Sequence, residues 1–122
     1  MARDFKNIKA WQYADDLTAM VYSKTKTFPR EELYGITSQL RRAIVSVPAN
    51  IAEGANRKHK KEYLQFLYIA KSSMAETEYF LHLSRRLGYL EENDYKILGQ
   101  LQEQAAKTLY GLITSVGKEA KD

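Results

Sequence analysis

The chain has 122 residues, with 19 Lys and Arg against 15 Asp and Glu, a net charge of +4 and no cysteine. That length makes one domain, residues 1–122, around one core, and the missing cysteine excludes disulfides, thiolate metal sites and cysteine nucleophiles. The opening stretch MARDFKNIKAW carries charges where a secretory leader needs an apolar run, and no later stretch approaches the ~18 apolar residues of a membrane span, so the expected location is the cytoplasm, with no membrane partner.

Two prolines, six glycines and little alternating β-branched pattern favour an all-helical chain. The first helix is predicted over roughly 7–26, where Ala10, Tyr13, Ala14, Leu17, Met20 and Val21 recur at three- and four-residue steps and mark one apolar stripe. TFPREELYG breaks it: Pro29 biases residue 28 away from helical geometry, and Gly35 gives a permissive backbone before the next start at Ile36 or Thr37.

The second helix, to about Gly54, carries Leu40, Ile44, Val47 and Ile51 on one side. Pro48 inside it removes one backbone hydrogen bond and crowds the carbonyl of Ile44, so a bend is expected; the competing reading ends the helix near Val47. At 100° per residue Arg42, Ser46, Ala49 and Glu53 fall opposite the apolar side, with Ala52 between. From Ala43 to Ala55 the only ionisable side chain is Glu53, whereas a helix with one wet face shows water a row of charges. Two readings follow. Either this small-residue helix lies centrally in a monomeric bundle, or it packs on its own core and on a second subunit through Arg42, Ser46, Ala49, Ala52 and Glu53.

The third helix, about 60–87, would be about 42 Å long at the standard rise. His59 stands where a capping box prefers Ser or Thr, so its start is weakly capped. Gly88 suits a left-handed terminating residue, Tyr89 can fold back on Leu83, and Arg85 and Arg86 favour the helix C-terminus. Phe66, Leu67, Ala70, Met74 and Leu81 follow one stripe, while Leu64, Tyr68, Ile69, Tyr79, Phe80 and Leu83 lie off it, more apolar surface than one bundle core buries. The fourth helix, about 92–118, spaces Tyr95, Leu98, Leu101, Ala105, Leu109, Leu112 and Val116 by three and four, the seam of a bundle. Short links between four such segments give an antiparallel up-down-up-down four-helix bundle.

Reaction chemistry is not legible. A di-iron bundle needs repeated Glu-x-x-His pairs, and none exists; Glu78 and His82 share a face but offer too few ligands, and an i,i+4 contact is the simpler reading. Glu76 and Glu78, two apart, point to different sides, which argues against a paired acid and base. No phosphate-binding glycine loop is present. No catalytic, cofactor or metal site is therefore assigned, and Arg41, Arg42 and Glu53, if buried, need ion-pair partners such as Glu76 or Glu78.

Three stretches, YGITSQLRRAIVSVPANIAEG, EYLQFLYIAKSSMAETEY and LGYL, in that order and spacing, resemble the bacterial four-helix-bundle proteins that include those encoded in intervening sequences of large-subunit ribosomal RNA genes. The resemblance covers nearly the whole chain. That family is similar to the accessory protein of diversity-generating retroelements, a basic homopentameric barrel that binds nucleic acid together with a reverse transcriptase. The resemblance thus implies a four-helix protomer, a pentamer and a nucleic-acid role. Two positions depart from it: His59 replaces the usual small hydroxyl cap, and Lys71 stands where glycine is frequent.

Two functional readings follow. One is a non-enzymatic oligomeric scaffold or adaptor with a protein partner. The other is an RNA- or DNA-binding assembly using Arg57, Lys58, Lys60 and Lys61, four permanent charges in a turn where they can reach phosphates without disturbing the bundle. A solvated charged loop is the plain alternative for one chain, but a ring of protomers would repeat the turn around one face and make it multivalent.

Overall fold

Apolar side chains at three- and four-residue steps bring four helices together in the computed structural model, which describes residues 4–121. Residues 1–3 of the opening stretch, and residue 122, lie outside the described residues. A short 3-10 turn, Phe5–Asn7, leads into α1 (Lys9–Thr25); a second, Arg30–Glu32, precedes α2 (Ile36–Ala55), then α3 (Lys60–Arg86) and α4 (Glu92–Ala120). No strand occurs among the described residues. The helices pack in a cycle, α1 on α2, α2 on α3, α3 on α4 and α4 back on α1, as an all-α antiparallel up-down-up-down bundle. Among the described residues no helix is long and apolar enough to cross a membrane.

The core is where the periodicity placed it. Ala10, Ala14, Leu17 and Val21 of α1, Leu40, Ile44, Val47 and Ile51 of α2, and Leu98, Ala105, Leu109 and Val116 of α4 are buried. From α3 come Leu67, Ala70, Met74 and Leu81, with Phe66 only partly covered. Each fully covered leucine or isoleucine contributes about 1.5–3 kcal/mol, so these stripes dominate stability.

Pro48 is buried and α2 continues unbroken through it to Ala55, which rules out an end near Val47. The missing amide deprives the Ile44 carbonyl of its usual i+4 donor, a loss that Val47 and Ile51 packing on either side offsets. Helix α1 starts two residues later than expected, because Phe5–Asn7 is wound as a separate turn in which Asp4 accepts from the Lys6 amide at 3.0 Å. His59 makes no side-chain cap for α3. Lys71 is exposed, so the residue that departs from the family pattern does not enter the core.

At the other end of α3, Gly88 has φ 78°, the left-handed conformation that only glycine adopts without strain. The Tyr89 amide donates to the Ser84 carbonyl at 2.9 Å and the Gly88 amide to Arg85 at 3.0 Å, the paired bonds of a Schellman ending. The Tyr89 ring finds its aromatic partner in Phe28, centroids 5.6 Å apart, and its hydroxyl donates to Glu32 Oε2 at 2.8 Å. Glu32 is therefore the acceptor that fixes Tyr89, a pairing the Leu83 expectation did not contain.

Helices α2 and α3 approach closely at Gly54. A Cβ there would lie 2.8 Å from Phe66 Cβ and 2.9 Å from Tyr63 Cδ1, distances no real side chain tolerates. Replacing Gly54 by Val is expected to lower unfolding free energy by about 1–3 kcal/mol through overpacking, read as a lower urea midpoint at unchanged slope. An unchanged midpoint would show that the helices part without cost.

The hydrogen bond to Glu32, then partial burial, then the charges of Glu32 and Glu31 raise the Tyr89 pKa above its ordinary value. A folded pKa above the unfolded one gives stability that is whole below about pH 10 and is lost as pH rises through the folded value. Alkaline ultraviolet titration should show a late tyrosine contribution that Tyr89→Phe removes and Glu32→Gln moves back towards the ordinary range; a titration curve whose late part is unchanged in amplitude by Tyr89→Phe assigns it elsewhere.

Candidate functional site

Three surfaces carry the residues singled out from the sequence or joined to them by the fold. The first is the outer side of α2 where it meets α3. Arg42, Ala49 and Glu53 are exposed, and Ser46 and Ala52 are partly covered, so all five expected contact residues lie on the accessible side of the helix. Val45 is exposed as well. On the neighbouring helix Ile69 is 48% exposed, and Tyr34, just before α2, is 92% exposed.

A polar groove of about 460 Å³ runs between the two helices, lined by Ser38, Arg42 and Ser46 on one side and Ser73, Glu76 and Phe80 on the other. Ser73 Oγ donates to Ser46 Oγ at 2.8 Å across its floor, and Asn50 Nδ2 donates to the same Ser46 hydroxyl at 2.9 Å. Arg42 and Glu76 line the groove without an ion pair among the described residues. The other charges of this helix are settled within the chain. Arg41 reaches α1, where its Nε donates to Thr25 Oγ1 at 2.9 Å and its guanidinium stacks 4.8 Å from the Tyr22 ring centroid. Glu53 pairs with Arg57 at 3.1 Å, one turn on.

The second surface is the turn after α2. Arg57, besides meeting Glu53, lies 4.6 Å over the Phe66 ring. Lys60 pairs with Glu119 of α4 at 3.0 Å. These pairs are exposed, and exposed pairs hold their partners by about 1 kcal/mol or less, so they open readily to a stronger anion. Lys58 and Lys61 are exposed and in no ion pair among the described residues.

The third surface was not legible in the sequence. Antiparallel packing sets the start of α3 beside the end of α4, so that Lys61 and Lys71 share a groove with Lys118 and Lys121 over Leu64 and Ile113. Helical spacing could have flagged each lysine as exposed, but their grouping depends on which helices are neighbours. Glu78 and His82 do not form a site: both are exposed, and His82 lies against Tyr79 with ring centroids 6.3 Å apart. Among the described residues no group of three or more His, Asp or Glu could hold a metal ion.

Known proteins resemble the chain in two ways. The family model described as 23S rRNA-intervening sequence protein matches residues 6–111. The bundle superposes with TM-score 0.79 on a crystal structure of a protein with unknown function from the S23 ribosomal protein family of Bacteroides thetaiotaomicron, at 23% identity, covering 86% of this chain and 95% of that one. That likeness is one of fold. No curated protein matches the chain.

Proposed function

The chain belongs to the 23S rRNA-intervening sequence protein family, and from that membership and its accessible α2 face we propose that it is a non-enzymatic scaffold that assembles with copies of itself. The observation that carries this reading is the outer stripe of α2. Val45 and Ala49 are exposed there, where a helix facing only water would present lysines and glutamates. Small side chains allow a second backbone to come close, and the unpaired Arg42 and Glu76 supply opposite charges that a neighbouring copy can satisfy. The pentamer implied by the family resemblance is the stoichiometry proposed, with cytoplasmic location.

Light scattering on the purified protein should give an oligomer at micromolar concentration, and Ala49→Glu should shift it towards monomer while circular dichroism stays helical. The residue is exposed, so the added carboxylate disturbs the contact and not the core. A monomeric parent protein removes the reading.

A second reading is favoured by the two unpaired lysines of the 57–61 turn and by a family designation that refers to 23S rRNA. In it the assembly also holds RNA or DNA through backbone phosphates at Arg57, Lys58, Lys60 and Lys61. Binding of this kind shows little base preference and falls steeply with salt, because each neutralised phosphate releases condensed counterion. Titration of labelled RNA and DNA at low and physiological salt, beside a variant with all four changed to Gln, checks it. Equal binding by an oligomeric variant excludes the turn.

A further inference from the structure

We propose that the groove between α3 and α4 is a docking site for an acidic amphipathic helix of a protein partner. The inference rests on the scaffold reading and gives that scaffold a partner class and a site distinct from its α2 face.

Two hollows, of about 730 Å³ and about 180 Å³, share Lys71, Tyr110 and Ile113 and so form one continuous groove. From Lys61 to Glu78 along α3 it extends about 25 Å, the length of a helix of about seventeen residues. Its floor is apolar: Leu64 and Ile113 under the first hollow, Met74, Ala106 and Leu109 under the second. The floor is also open, since a Cβ built on Gly117 meets nothing within 4 Å. Tyr68 and Tyr110 also line it, residues 54% and 68% exposed. An apolar channel between two helices takes the apolar stripe of a third helix, whose i, i+3, i+4 and i+7 side chains point down together.

Charge selects the kind of helix. Lys61, Lys71, Lys118 and Lys121 line the first hollow with no carboxylate among its lining residues, and none of the four is in an ion pair among the described residues. Glu78 lies only in the second hollow. The complementary occupant therefore has acidic residues flanking its apolar stripe at the end that meets Lys118 and Lys121. A nucleic-acid strand fits less well, because the cations reach only as far as Lys71 and the far end of the groove sets the Glu78 carboxylate beside an apolar floor. A second copy fits less well too, since the outer α2 stripe carries Arg42 with Glu53 and so has no surplus of negative charge.

The test is fluorescence anisotropy with a labelled designed peptide of about seventeen residues, bearing leucines at helical spacing and glutamates flanking them at one end. The comparison probes are the same peptide with lysines for glutamates and a labelled oligo-dT. Two protein variants are used: Gly117→Leu, which fills the floor in open space, and Lys118→Glu with Lys121→Glu. The acidic peptide is expected to bind the parent protein, weakening as salt is raised, and each variant to weaken it by about tenfold or more. The lysine peptide is expected to prefer the charge-reversed protein.

Absence of acidic-peptide binding at low salt overturns the proposal, as does binding unchanged by Gly117→Leu. Oligo-dT that displaces the peptide and binds more tightly gives the groove to nucleic acid. Dissociation of the oligomer by Gly117→Leu in light scattering gives it to a second copy. The scaffold reading fails separately: a monomeric protein that binds the peptide loses only self-assembly, and an oligomer that ignores the peptide loses only the groove.

Discussion

The close approach of α2 to α3 is the constraint on which the rest of this bundle depends. It requires a residue without a side chain at Gly54, where Phe66 and Tyr63 occupy the space a Cβ would need. It also requires a polar contact that remains satisfied when two backbones come near, which the Ser46–Ser73 hydroxyl pair provides. Once the helices are at that distance, Leu40, Ile44, Val47 and Ile51 are turned onto one core and the small outer residues of α2 are left facing away. The small-residue composition of α2 therefore serves its own bundle first. What remains unexplained by the monomer is the outer stripe, where Val45 and Ala49 face solvent.

Much of the fold was legible because helical periodicity and helix punctuation are local. The stripe from Leu98 to Val116 and the left-handed Gly88 need no knowledge of neighbours, and both occur as read. The continuation through Pro48 was readable from the apolar spacing out to Ile51, which outweighs the local cost of proline. The excess of apolar side chains on α3 was legible too, and Tyr68, Ile69 and Tyr79 are the ones left exposed.

Pairings across the bundle were not legible, for a physical reason. The sequence groups Arg41 with Arg42 as a charge in need of a partner such as Glu76 or Glu78, but the turn of α2 sends it to Thr25 and Tyr22 on α1. Glu53 was read as an outward contact, and it is accessible, yet its partner Arg57 lies one turn on, within i,i+4 reach. The lysine groove joins residues about fifty positions apart, which no spacing rule connects. Candidate surfaces made by one helix could thus be read from the chain, and those made by two could not.

The tie between Glu32 and Tyr89 has a consequence for how the chain can vary. Connections between helices are ordinarily the places where residues are gained or lost without harm, because they lie on the surface and carry few contacts. Here the link between α1 and α2 and the link between α3 and α4 are joined side chain to side chain, through the Phe28 and Tyr89 rings and the Glu32 carboxylate. An inserted residue in one shifts its partner in the other, so their lengths are free only jointly. The link between α2 and α3 has no such tie to another link among the described residues, since its Arg57 meets Glu53 and Phe66 of the two helices it joins, and changes of length in this fold should gather there.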